Sequence, residues 1–171
     1  MKKTDNAFMN EKLQASALKL ISEEYFAYQL YTLAGIAVKK EDAPILKGLF
    51  GEIAEDELHD HLKELVEWCR QYGYEIPCTE TEFKKYADKN ASKQVSQLKK
   101  GQPAGYYIDE AIKSEEIAIA SYKEVLDYEG TCQFTDLQAL LWHIYYDENE
   151  HLQNLKTAKI AYEAGDALTI G

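Results

Sequence analysis

Glutamates at positions 24 and 57 recur 91 residues further on, at 115 and 148, and each of the four falls partway along an apolar helical stripe. Successive helix positions turn by about 100°, so every third and fourth residue gathers on one face. Leu13, Ala17, Leu20, Glu24, Tyr28 and Tyr31 share one such face. Leu46, Leu49, Phe50, Ile53, Glu57, His61, Leu65 and Trp68 share a second, with Asp56 at its edge and His59 on the opposite side. Ile108, Ile112, Glu115, Ile119, Tyr122 and Leu126 make a third, and Leu137, Leu141, Ile144, Glu148, His151, Leu152 and Leu155 a fourth. A carboxylate in a core without a partner is very costly, and no Lys or Arg stands at a matching position to neutralise these. Taken singly, each glutamate is as well explained by a tilted, half-exposed side chain. Four coincident cases at one offset are not, and a multivalent cation is the economical explanation.

The offset of 91 extends beyond the acids. It relates Tyr31 to Tyr122, Ala27 to Ala118, Leu46 to Leu137, Leu49 to Leu140, Phe50 to Leu141 and Ile53 to Ile144. Residues 24–31 and 115–122 both read Glu-x-x-Ala-x-x-x-Tyr. The chain therefore looks like a duplicated helical hairpin, with a pseudo-twofold axis that brings the four glutamates together at mid-bundle.

Four long helices are predicted. They run from about Asn10 to Lys39, from Pro44 to Tyr72 with a stop at Gly73, from Pro103 to Gly130, and from Thr135 to about Gly165. Thr135 and Gln138 have the spacing of a capping box. No strand-like alternation competes. Two connections are short and predict antiparallel hairpins, whereas roughly thirty residues join the second helix to the third. Within that crossover "TETEFKKYADK" predicts one short helix. The expected fold is all-α, a four-helix bundle of two hairpins joined by a long crossover with a short extra helix, in a single domain over residues 1–171.

A net charge of −11 argues against nucleic acid as a partner and suits a protein that attracts cations. Only Lys2 and Lys3 mark the N-terminus as basic, so DNA binding by a lysine-rich tail is not expected. No apolar run reaches the length of a membrane span, and "MKKTDNAFMNEKL" lacks the apolar stretch of a secretory signal. Cys69, Cys78 and Cys132 are an odd number without zinc spacing, which favours a reducing, cytoplasmic setting.

The histidines break the repeat by one residue. His151 is three positions after Glu148, His61 is four after Glu57, and Leu65 matches Leu155 at an offset of 90. A π-bulge in the second helix would absorb the extra residue. The alternative is a regular helix with Glu57 and His61 as i, i+4 neighbours. Asp60 or Asp56 with His59 is a second ligand alternative. Glutamate oxygen together with imidazole nitrogen suits iron, manganese or zinc better than calcium or magnesium.

Two helices that give one Glu each, and two that give Glu-x-x-His, are the ligand pattern of di-iron carboxylate bundles. "ENEH" (148–151) fits it, and "ELHDH" (57–61) fits with the one-residue shift. On these motifs, which cover the four helices, the sequence resembles the ferritin-like superfamily. The site resembles that of bacterioferritin, but Leu58 stands where the haem-ligating Met of that family would, so no haem is expected. A short crossover helix, and only "DALTIG" after Gly165 where a fifth helix would lie, resemble the Dps group of mini-ferritins, in the form that houses a bacterioferritin-type site inside each bundle.

The resemblance implies that Glu57 and Glu148 bridge two irons per subunit, with Glu24 and His61, and Glu115 and His151, as terminal ligands. It implies oxidation of Fe(II) by hydrogen peroxide or dioxygen and storage of Fe(III) inside a homo-oligomeric shell of twelve subunits. It also implies a cysteine pair near the site, for which Cys78 and Cys132 are candidates beside their reading as ordinary thiols. Tyr31 and Tyr122 would hydrogen-bond ligands, supply electrons, or simply pack. A rubrerythrin-like peroxidase or other di-metal oxidoreductase without mineral storage is the nearest alternative, although no CxxC module is present. A metal-free bundle that binds a partner leaves the acids unexplained.

Overall fold

The computed structural model describes residues 3–165, with side chains from Asn10 onward. Lys2, the side chains of Lys3 and Met9, and the DALTIG tail on which part of the sequence reading rests lie outside it. Helix α1 spans Lys3–Ala37, α2 Ala43–Glu55, α3 Lys63–Gln71, α4 Glu80–Tyr86, α5 Lys89–Ser96, α6 Ala104–Asp127 and α7 Thr135–Glu163. A π-helical segment, Asp56–Leu62, joins α2 to α3 in one rod. The bundle consists of α1, this rod, α6 and α7. It has the expected two-hairpin connectivity, and no strand occurs among the described residues.

The helix ends follow local chemistry. Pro44 stands in the first turn of α2, and Gly73 takes φ +74° after α3, a left-handed conformation that glycine adopts without steric cost. Asp42, just ahead of α2, accepts the amide of Ala104 at 3.0 Å and so caps α6 instead. The Thr135 capping box does not form. A 3-10 turn over Glu129–Gln133 leads into α7, Phe134 becomes its N-cap without a side-chain bond, and the Gln138 amide bonds the Phe134 carbonyl at 2.9 Å. The same turn ends α6 at Asp127, short of the expected Gly130. A complete capping box occurs at Thr79 and Glu82, which exchange bonds of 3.1 and 3.2 Å at the start of α4. Thr79→Ala is expected to cost about 1 kcal/mol and to raise amide exchange in α4 before the bundle.

The crossover holds two short helices where one was expected. Phe83 of α4 stacks on Tyr25 of α1, ring centroids 4.0 Å apart. The start of α5 is tied down by Glu23, whose Oε1 accepts the Asp88 amide at 3.0 Å. Burial raises the Glu23 carboxyl from 4.5 to about 6, against the lowering effect of Ser121 and Lys19. A folded value above the unfolded one favours folding fully below about pH 4.5, and that contribution is lost as pH rises through about 6. Glu23→Gln retains an acceptor oxygen for Asp88. It is expected to leave stability near pH 4 unchanged and to raise it by about 2 kcal/mol above pH 7, as urea midpoints at the two pH values will show.

The apolar core is in two clusters. One gathers Leu13, Ile21, Phe26, Leu65, Trp68, Leu137 and Ile144, and the other Tyr31, Leu46, Phe50, Ile53, Ile108 and Leu155. On the rod, α6 and α7 the acids and histidines of the repeat fall between the two, and on α1 the clusters meet at Phe26 and Ala27, just after Glu24. The predicted stripes hold on the rod and α7, and on α1 apart from half-buried Tyr28, while Ile112, Ile119 and Leu126 of α6 are only half-buried. There Tyr107, Ala111, Ser121 and Val125 complete the buried face.

Candidate metal centre

Seven residues of π-helix decide what the second helix can present. The amide of Lys63 bonds back to the carbonyl of Leu58, five residues earlier, which accommodates one residue more than an α-turn holds. Glu57 and His61, four apart, thereby face the core together, as Glu148 and His151 do at a spacing of three on regular α7. Glu24 and Glu115 meet them from α1 and α6. All six are buried, His151 at 6% being the most exposed. His59 is exposed and pairs with Glu55 at 3.2 Å, and Asp60 is exposed, so the alternative ligand set with His59 does not assemble.

Two groups of ligand atoms form within this layer. One holds Glu24, Glu57, His61 and Glu148, and the other Glu57, Glu115, Glu148 and His151. Glu57 and Glu148 belong to both, each dividing its two oxygens. Glu57 Oε2 is 3.5 Å from His61 Nδ1, and its Oε1 is 3.8 Å from His151 Nδ1. Glu148 Oε1 is 3.4 Å from His61 Nδ1, and its Oε2 is 3.4 Å from His151 Nδ1. Glu24 Oε2 lies 3.5 Å from His61 Nδ1, and Glu115 Oε2 lies 3.9 Å from His151 Nδ1.

The remaining polar atoms are held from the opposite hairpin. Tyr31 donates to Glu115 Oε1, and Tyr122 donates to Glu24 Oε1. Both tyrosines are fully buried, and burial with the nearby carboxylates pushes their hydroxyls well above 10, so they remain donors. His61 Nε2 meets Asp147 Oδ2 at 3.4 Å, and His151 Nε2 meets Asp56 Oδ2 at 3.2 Å. These contacts fix which imidazole nitrogen turns inward, as carboxylates do for metal-bound histidines. Asp56 and Asp147 obey the 91-residue offset, yet sequence reasoning put Asp56 at a stripe edge, offered it only as a ligand beside His59, and missed Asp147. The signal was their place directly before each doubly used glutamate.

Burial disfavours the charged form of every acid here. Desolvation, and then the neighbouring Glu148, drive Glu57 and Glu115 well above 4.5, and desolvation with Glu24 raises Glu148. At Glu24 desolvation is outweighed by hydrogen bonding with Glu57, His61 and Tyr122, and the carboxyl is lowered. At His61 desolvation is likewise outweighed, by the surrounding glutamates, and the imidazole holds its proton above its ordinary range. The metal-free cluster thus retains protons that a cation would displace.

The donor set fits a pair of metal ions. Nine buried side-chain atoms among the described residues have no hydrogen-bond partner, and eight are the inward atoms of these six residues. Ligand atoms that share an ion at about 2.0–2.2 Å sit roughly 3–3.5 Å apart, close to the spacings seen. None of the cysteines belongs to either group of ligand atoms. All three are free, and Cys78 and Cys132 are exposed, the first hydrogen-bonded through its amide to Glu82 and the second through its thiol to the Glu129 carbonyl.

Comparison with known proteins bears on the fold. The dodecameric thioferritin of Bacteroides fragilis, a bacterioferritin-related protein, superposes with a TM-score of 0.73 at 20% identity, covering 98% of this chain and 100% of that one. Dps from Thermosynechococcus elongatus gives 0.75 at 16% identity, over 90% and 93% of the two chains. Dps from Vibrio cholerae O1, described as a member of a broad superfamily of ferritin-like diiron-carboxylate proteins, gives 0.74 at 14%, over 88% and 90%. At such identities it is the fold that is shared. No functionally curated protein sequence matches the chain. Residues 16–160, which carry all six inward-facing acids and histidines, match the ferritin-like domain model, and the chain belongs to that family.

Proposed function

We propose that the protein is a ferroxidase and iron-storage protein. It takes up two Fe(II) per chain in the layer between its two apolar clusters, oxidises them with hydrogen peroxide or dioxygen, and passes Fe(III) to the cavity of a twelve-subunit shell. The observation that carries this reading is the division of the Glu57 and Glu148 oxygens between two histidines. Glu24 and His61 would hold one ion, Glu115 and His151 the other, and Glu57 and Glu148 both. Manganese and zinc suit the same donors, and iron is favoured by the family.

Two Fe(II) side by side supply together the two electrons that reduce peroxide to water, without a one-electron step that would release hydroxyl radical. The residues of the chain set the stage for this. Tyr31 and Tyr122 hold one oxygen of each terminal glutamate and leave the other free to bind. Asp56 and Asp147 keep Nδ1 of each histidine turned inward. The carboxylates give up their protons as cations enter. The acidic surface concentrates Fe(II) around the molecule. Large apolar side chains exposed on the single chain, Ile36 at 74% and Ile160 at 69% among them, are surface that a shell would cover.

An anaerobic Fe(II) titration of the metal-free protein followed by a peroxide pulse tests the reading. The expected result is saturation near two Fe(II) per chain, rapid oxidation, and ferric iron that co-elutes with a high-mass particle. Saturation near one, insensitive to Glu57→Ala, would move the site to a subunit boundary. Oxidation without retained iron would favour a peroxidase that stores nothing.

A further inference from the structure

A groove between α1 and α2 is kept open at a cost to both helices. Its volume is about 600 Å³, within the range of small-molecule sites. Buried Tyr31, Leu46 and Phe50 form its floor, with the two rings edge to face and their centroids 5.2 Å apart. Gly35 on α1 and Gly51 on α2 line it from either side. Glycine inside a helix is destabilising relative to alanine, and the backbone requires neither of these two. Neither has a positive φ, and a Cβ at either position would meet nothing within 4 Å. The repeat sharpens the point. The residues 91 positions after Gly35, Ala43 and Gly51 are Leu126, Phe134 and Trp142. One hairpin thus carries small residues where the other carries large ones.

We propose that this groove binds a small aromatic acid, its ring against Tyr31 and Phe50 and its anionic group at Lys40 and Lys47. Both lysines line the groove, are exposed, and have no ion-pair partner among the described residues. No Asp or Glu lines it, in a chain with 30 acids against 19 Lys and Arg. The local charge is therefore opposite to that of the molecule as a whole, whose acidic surface repels anions elsewhere. A third ring would extend the edge-to-face pair on the floor. Tyr31 belongs to both the groove and the centre, since its hydroxyl donates to Glu115. The ligand would thus lie one ring away from the metal layer, but its binding needs no metal, and the proposal stands without the dinuclear reading.

Fluorescence titration of the metal-free full chain with anilinonaphthalene sulfonate, an aromatic anion, tests it. One tight equivalent per chain is expected. Gly51→Leu should abolish it, and because the added side chain enters open space, that variant should melt no lower than wild type. Lys40→Ala and Lys47→Ala should each weaken binding about two- to fivefold at low salt. Ile160→Ser, at an exposed apolar position of α7, should leave it unchanged. A folded Gly51→Leu variant that binds with wild-type affinity overturns the proposal. So does equal affinity for the uncharged analogue phenylnaphthylamine, which would make the groove a general apolar patch. Binding to dissociated chains but not to a high-mass particle also overturns it, since a second copy would then be the occupant.

Discussion

Glu57→Gln is expected to change stability in opposite directions with and without metal. In the metal-free chain Glu57 is a buried carboxyl held above its ordinary range first by burial and then by Glu148 and Glu24. An amide of nearly the same shape carries no charge into that layer and leaves no cavity. The metal-free variant should therefore be more stable than wild type near pH 7, by roughly 1–3 kcal/mol, the usual cost of a poorly satisfied buried polar group. With metal the sign reverses. Both ligand groups draw on Glu57, so losing its charge weakens both positions. The fall in affinity should exceed the roughly 10–100-fold typical of losing an outer hydrogen-bond partner, and fast Fe(II) oxidation should disappear with it. Thermal melts with and without Fe(II), kept anaerobic, measure both signs in one experiment. A Glu57→Gln variant less stable than wild type in both states would mean that the residue serves packing alone. Glu148→Gln should behave in the same way, since it divides its oxygens identically.

Removing metal from the wild-type protein should lower its melting temperature by about 10–20 °C. A ligand that binds only the folded state at a hundredfold excess over its Kd contributes about 2.7 kcal/mol per site, and each kcal/mol moves the midpoint by about 2–4 °C in a chain of this size. The gap should widen with pH. In the metal-free protein Glu57, Glu115 and Glu148 lie above their ordinary 4.5. Each favours folding fully below that value and loses the contribution as pH rises through its raised folded value. His61, raised above 6.5, favours folding fully below 6.5 and loses this in the same direction. Glu24, lowered, acts oppositely and stabilises only above its depressed folded value. On balance the metal-free chain weakens as pH rises. The metal-loaded chain strengthens, because cations bind ionised carboxylates and neutral imidazoles and expel the retained protons. Melts at about pH 6 and pH 8, with iron and with chelator, should diverge. Parallel shifts would argue against metal in this layer.

Much of this was legible in the chain itself, because a repeat supplies its own check. The six inward-facing acids and histidines followed from helical phase, and the π segment followed from a slip of one residue between Leu65 and Leu155. What escaped was set by contacts between elements. Asp147 sits where a helical wheel shows a boundary, and only the arrival of His61 from the other hairpin gives it a role. Glu23 falls about 100° from the stripe of α1 and is buried by the crossover, whose packing leaves no periodic trace in α1. The second crossover helix, "KNASKQVS", buries only Ala91 and has no apolar stripe to read. The capping spacing occurs at both Thr79 and Thr135, but a 3-10 turn feeding into Phe134 moved the second helix start by one residue.

The polar contacts from Tyr31, Tyr122, Asp56 and Asp147 to the centre all cross from one hairpin to the other. A single hairpin would carry hydroxyls without their carboxylates and imidazoles without their anchors, and would complete neither. Two identical hairpins face to face would complete both. The chain is in this sense a homodimer whose partners have been tethered, and the tether frees each copy to mutate alone. Trp142 against Gly51, and the additional residue beside Asp60, are what that freedom has produced, so that two positions once interchangeable have become individuals.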